Sequence, residues 1–162
     1  TCTDQVLRPS SPNGESRFGS SVAVSEGMIL IGAPQYGTAS RKNAGTVYVF
    51  LRDPVNGWLQ LPDVATDALN ESRLGHSVAL SRQSAMAGLP GYSRGADEPR
   101  IGAVLTYTRS ASGIAELSLL ESDSGRDNDA FGNSVSISPD WLAVGQPGFQ
   151  TTAAEDTGSV VI

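Results

Sequence analysis

At 162 residues, 39% of them hydrophobic, the chain is long enough to bury a core, and 18 glycines and 9 prolines against 17% charged residues favour short strands and tight turns over long helices. The net charge of −6 and a pI near 4.6, with no clustered Lys or Arg, exclude a nucleic-acid partner and argue against docking on an anionic membrane. No run approaches the roughly 18 apolar residues of a membrane span, and a start at Thr1 without a signal-like apolar core reads as a processed chain or a piece of a longer one.

In chain order, Cys2 is the sole cysteine, either a free thiol or, in a secreted chain, half of a bridge to a partner or to chain outside this sequence. "QVLR" at 5–8 suits a short strand. Phe18-Gly19 then opens "SVAVS", where Val22 and Val24 alternate with small residues and predict a half-buried strand. "MILIGAP" is a near-continuous apolar run stopped by Gly32 and Pro34, as expected of a strand covered on both faces. "GTVYVF" from Gly45 is β-branched and aromatic. A weaker strand surrounds Trp58.

The same series returns twice. Leu74-Gly75 precedes Val78 and Leu80, then Gly88 and Pro90, then "GAVLTY" from Gly102 and a weaker strand around Leu117. Phe131-Gly132 precedes Val135 and Ile137, then Gly145 and Pro147, then "GSVVI" from Gly158. The anchors lie 56 and 57 residues apart, and in every copy the glycine and proline fall 14 and 16 positions past the anchor phenylalanine or leucine. Four strands per copy in fixed register is the pattern of propeller blades. The predicted fold is therefore an all-β propeller of four-stranded antiparallel blades, with repeat 1 over about 17–70, repeat 2 over about 73–127, repeat 3 over about 130–162, and residues 1–10 as the last strand of a neighbouring blade. In this arrangement Phe or Leu plus Gly turns the chain into the innermost strand, and Gly-x-Pro ends the second where backbones approach closely. Three blades close no ring and leave an open edge at Val160-Val161-Ile162, so a propeller of about six or seven blades is expected, completed by the remainder of a larger chain or by a second copy.

With "FGSSVAV…ILIGAP…AGTVYVF" in place, the chain resembles the FG-GAP repeat family, the blades of integrin α-subunit propellers and of many secreted surface proteins. The second copy, "LGHSVALSRQSAMAGLPG", keeps the spacing without the phenylalanine. Integrin-type blades carry a DxDxDG calcium loop between the first two strands. Here those loops are "SEGM", "SRQSA" and "SPDW", each with at most one carboxylate, so the resemblance is to the short-hairpin subtype and no calcium or other cofactor is expected.

Candidate sites follow from the repeat. Tyr36, Tyr92 and Phe149 each stand two residues past the proline and offer a repeated aromatic platform, or else pack their own loops. The loops beside them, "GTASRKN", "SRGADEPR" and "QTTAAED", vary in length and charge as binding loops on a fixed scaffold do. Asp123, Asp127 and Asp129 are the densest carboxylates and a weak metal alternative, although the run lacks the turn glycine and closing glutamate of an EF-type loop. Asn70-Glu71-Ser72 is a glycosylation sequon. His76, the sole histidine, is expected to point toward the propeller axis; no nucleophile elbow, phosphate loop or zinc-protease motif accompanies it, so no enzyme activity is expected. The sequence thus reads as an extracellular or cell-surface recognition and adhesion module displaying loops to a protein or glycan ligand. The alternatives are a building block of a cell-surface or filamentous assembly, and an accessory propeller of a larger secreted enzyme.

Overall fold

The computed structural model describes residues 4–10, 14–62, 71–123, 125–151 and 157–162. The alternation in "SVAVS" produces β1 (Ser21–Ser25), which folds back on β2 (Met28–Ala33) through Glu26 and Gly27. Both turn residues have positive φ, 41° and 75°, the two-residue geometry whose twist matches antiparallel strands. β3 (Thr46–Asp53) and β4 (Gly57–Gln60) complete a meander of order β1-β2-β3-β4. Their turn is fixed by Asp53, whose Oδ1 accepts the backbone N–H groups of Val55 and Asn56 at 2.9 and 2.7 Å.

The second sheet repeats this order with β5 (Val78–Leu80), β6 (Ser84–Leu89), β7 (Ala103–Ser110) and β8 (Gly113–Glu121). The third contains β9 (Ser134–Ile137), β10 (Leu142–Gln146) and β11 (Ser159–Val161), with β11 at its edge. The described residues are all-β, and the three sheets are propeller-type blades, numbered here 1 to 3.

Period two decides how the blades stack. On β2, Met28 and Leu30 point forward, and with Val47 and Val49 of β3 they meet Ala85, Ala87, Leu89, Leu105 and Tyr107 of blade 2 in one cluster, with Val78 and Leu80 at its margin. On β6, Met86 points forward with Val104 to meet Phe131 and Val144 of blade 3, with Val135 and Ile137 at the margin. Leu74 and Phe131, the second and third anchors, are buried between blades; such burial stabilises by about 1.5–3 kcal/mol per side chain. Phe18 has no blade before it among the described residues and is only half-buried, its ring edge-on to Tyr48 and Phe50 at centroid distances of 5.2 and 6.3 Å.

The "QVLR" segment departs from expectation. Residues 4–10 form no strand: they reach the edge strand β4 through side chains, Ser10 N–H donating to Gln60 Oε1 at 2.8 Å, and not through a backbone ladder. They lie against blade 1, where the side chain of Gln5 accepts the Trp58 N–H at 3.0 Å and Leu7 packs with Ile31, Tyr48 and Phe50. Leu7 precedes Phe18 by the interval that separates Leu120 of β8 from Phe131, and Leu120 packs on blade 3 in the same way. The segment occupies, in front of blade 1, the place that β8 holds in front of blade 3.

The junction between blades is a backbone contact. A Cβ on Gly32 would fall on the carbonyl oxygen of Gly75, and one on Gly88 on that of Gly132. For Gly145, their counterpart in blade 3, the nearest atoms to such a Cβ belong to Ser134 of the same blade, first its hydroxyl. Gly88→Ala is therefore expected to lower stability by about 1–3 kcal/mol, and Gly145→Ala by under about 1 kcal/mol since a rotatable side chain yields there; urea denaturation in dilute solution measures both, and equal losses would contradict the junction.

Candidate functional site: the long-loop rim

The meander sends the loops that follow β2, β6 and β10 to one rim of the arc and the tight β1–β2, β5–β6 and β9–β10 turns to the other. On the long-loop rim each loop begins and ends with the same backbone bonds. The N–H groups of Tyr36, Tyr92 and Phe149 donate to Ala33, Leu89 and Gln146 at 3.0, 3.0 and 3.3 Å, and their carbonyls accept Gly45, Gly102 and Gly158 at 2.9, 3.0 and 3.0 Å. A repeated main-chain clasp therefore accounts for the fixed position of these aromatics. Their side chains stay apart: Tyr36 and Tyr92 are half-buried and packed on the cores of blades 1 and 2, and Phe149 is half-buried in blade 3.

Between the clasps the loops differ. In blade 1, Gly14, Glu15, Gln35, Thr38, Lys42 and Asn43 line an open cleft of about 640 Å³. In blade 2, a cleft of about 300 Å³ is lined by Glu71, Ser93, Arg94, Glu98 and Arg100 with intervening small residues. Arg94 lies 2.7 Å from Glu121 and holds its carboxyl below the usual range, while burial and then the Glu121 contact push the Tyr92 phenol up. The two clefts occupy equivalent places, sharing a glutamate three residues before each anchor, Glu15 and Glu71, and differing in their other side chains.

The acidic run beside the third copy is engaged in holding loops. Asp127 Oδ1 accepts the Arg100 N–H at 2.9 Å, and buried Asp129 accepts the Arg126 N–H at 3.2 Å, whereas Asp123 is exposed. Among the described residues no three His, Cys, Asp or Glu side chains converge. Glu26 of the first hairpin is bonded to Arg82, at 2.9 Å. Cys2 and Asn70 lie outside the described residues.

Several recurrent residues that the repeat contains escaped the sequence reading. Ser21 and Ser77 donate from Oγ to the carbonyls of Gly75 and Gly132 at 2.8 Å each, and Ser134 holds the same position in blade 3. Arg109 clamps two hairpins by donating to Ser81, Ser25 and Glu26 carbonyls at 2.8, 2.9 and 2.8 Å; Arg52 is its counterpart in blade 1. Their signal was identity at equal offsets, weaker than that of glycine and proline because serine and arginine are common on any strand surface.

The chain belongs to the FG-GAP repeat family, whose profile matches residues 3–50 and 116–162. Each match opens 15 residues before its Phe-Gly anchor, and the Leu-Gly copy falls between them. No curated protein matches the chain. FG-GAP repeats build propeller-type protein-interaction modules, typically in extracellular proteins. No helix among the described residues is long and apolar enough to cross a membrane.

His76 stands next to the second anchor, half-buried, with a pKa lowered from 6.5 by burial and then by Arg73, against a hydrogen bond with Asn133 that raises it. A depressed folded-state pKa contributes stability that is fully present above 6.5 and is lost as pH falls through the folded value, because the unfolded chain takes up the proton first. Thermal unfolding between pH 7.5 and 5 is expected to show this loss, and His76→Asn, the residue blade 3 uses, to remove that part of the slope; an unchanged slope would contradict it.

Proposed function

We propose that this chain is a non-catalytic extracellular recognition module that binds a protein or glycan through its long-loop rim. The observation that carries the reading is the pair of clefts at equivalent places in blades 1 and 2, each clasped by the same backbone bonds and, apart from the shared Glu15 and Glu71, lined by different hydroxyl, amide and charged groups. A repeated frame that fixes the main chain while freeing the loop side chains is how a rigid scaffold supports selective contacts. The lining supports a polar ligand, either the hydroxyl groups of a sugar or the charged side chains of a protein loop. A second role, as a unit of a surface assembly, is favoured by the apolar outward face of blade 3, where Trp141 is 70% exposed.

Labelled chain on an array of immobilised glycans and extracellular-matrix proteins tests the first role. The expected result is a binder whose affinity falls about tenfold or more with Lys42→Glu or Arg100→Glu and is unchanged by Gln83→Ser on the opposite rim. Binding that survives both rim substitutions would contradict it.

A further inference from the structure

We propose that the cleft in blade 2 binds a terminal sugar residue of an uncharged glycan, with the Glu71 carboxylate as the group that reads it. This rests on the rim as the recognition surface and narrows it to one site and one ligand class.

The cleft is internal to the arc. On one flank the Lys42 carbonyl of blade 1 accepts the Glu71 N–H at 2.8 Å, and on the other the Arg100 carbonyl accepts the Asn128 N–H at 2.9 Å at the entry to blade 3. Neighbouring blades, not open edges, therefore set its shape.

A backbone anomaly picks out Glu71. The residue three before the anchor has φ of 64° in blade 2 and again in blade 3, a left-handed conformation. Its carbonyl lies where a Cβ on Gly91 or Gly148 would fall, so the turn belongs to the frame of both blades. Blade 3 fills the position with Asn128, a residue type that visits this region readily, whereas blade 2 uses a glutamate without that tolerance. The side chain gains little locally in exchange: the bond from Asn43 Nδ2 to Glu71 Oε1 is 3.5 Å long, at the limit of hydrogen bonding. Strain kept without a local gain points to binding rather than folding.

The lining defines the ligand. Glu71 and Glu98 balance Arg94 and Arg100, two carboxylates against two guanidinium groups. A cleft so balanced draws in neither a polyanion nor a basic peptide. The rest of the lining is Ser93 and small residues, with no aromatic or branched apolar side chain among the described residues to form the apolar centre of a protein contact. Its volume of about 300 Å³ stands at the small end of ligand pockets, which span about 300–1,000 Å³, whereas a stable protein interface buries on the order of 1,000 Å² or more. A compact neutral ring bearing hydroxyl groups meets all of these conditions. Each hydroxyl donates to a carboxylate or accepts from a guanidinium, so one kind of group satisfies both signs.

The lining groups are fixed in advance. Arg94 donates from Nε and Nη2 to Glu121 Oε2 at 2.9 and 2.7 Å, Ser93 Oγ donates to the Gly95 carbonyl at 2.8 Å, and the Arg100 N–H donates to Asp127 Oδ1 at 2.9 Å. Such fixing lowers the ordering cost of binding. Thr38 and Thr151 stand at the Arg94 position in blades 1 and 3, which makes blade 2 the one described blade with this set.

The test is an array of neutral oligosaccharides ending in hexose or N-acetylhexosamine, beside sialylated and sulfated glycans and extracellular-matrix proteins, followed by calorimetric titration of the chain with the bound probe. A neutral glycan is expected to bind, with an affinity that changes by less than about twofold between about 0.05 and about 0.5 M salt. Glu71→Asn is expected to weaken it about tenfold or more while the unfolding midpoint stays the same or rises, because asparagine suits the backbone there. Arg100→Gln is expected to weaken it similarly and reports on the cleft should Glu71→Asn fail to fold. A midpoint lowered by Glu71→Asn, or glycan binding that survives either substitution, would overturn the inference. If charged glycans or matrix proteins bind instead and lose affinity with Lys42→Glu or Arg100→Glu, the rim keeps its recognition role and this inference alone fails; if no probe binds, both fail.

Discussion

Everything in this arc depends on a carbonyl resting on a glycine. Where Gly75 meets Gly32 and Gly132 meets Gly88, the main chains of adjacent blades approach so closely that no side chain fits between them, and a serine hydroxyl completes the seat at 2.8 Å. That contact fixes the spacing at which Met28, Leu30 and Val49 reach blade 2 and at which Met86 and Val104 reach blade 3. Dispersion and burial supply most of the stabilisation; the glycine seat decides the register in which it is obtained.

The same constraint organises the two rims. Because the innermost strands are pinned, each long loop leaves and rejoins its sheet through one backbone clasp, at Tyr36 and Gly45 in blade 1 and at Tyr92 and Gly102 in blade 2. The side chains between are free to differ, and they do: Thr38, Lys42 and Asn43 in one cleft, Arg94, Glu98 and Arg100 in the next. The short-hairpin rim is tied across blades by Arg109 and by the Arg82–Glu26 pair. A scaffold fixed at one rim and variable at the other is suited to recognition, which is the role its family membership favours.

Much of this was legible in the sequence because glycine, proline and alternating valines are local signals with few competing uses. The positions of Phe18, Leu74 and Phe131, the ends of β2 and β6, and the forward and backward faces of the strands follow from spacing alone. The site was less legible. Tyr36, Tyr92 and Phe149 recur because of backbone bonds that no side chain advertises, and their rings do not converge on a shared surface. The Arg109 clamp joins residues more than 80 positions apart, and no short-range pattern encodes such a contact. "QVLR" has the composition of a strand, yet it forms no backbone ladder: Gln5 meets the edge strand β4 at Trp58 through its side chain, a contact that composition does not encode.

Amide hydrogen exchange tests the central claim, that the anchor seats hold the blades in register. The Leu74 and Phe131 amides, which donate across the junctions to Ala44 and Ile101, should exchange as slowly as those within β2 and β6. Phe18, the one anchor with no described blade before it, should exchange faster than either. If Leu74 and Phe131 exchange as quickly as the rim loops, the blades are held by their side chains alone and the glycine seat is a consequence of the fold rather than its determinant.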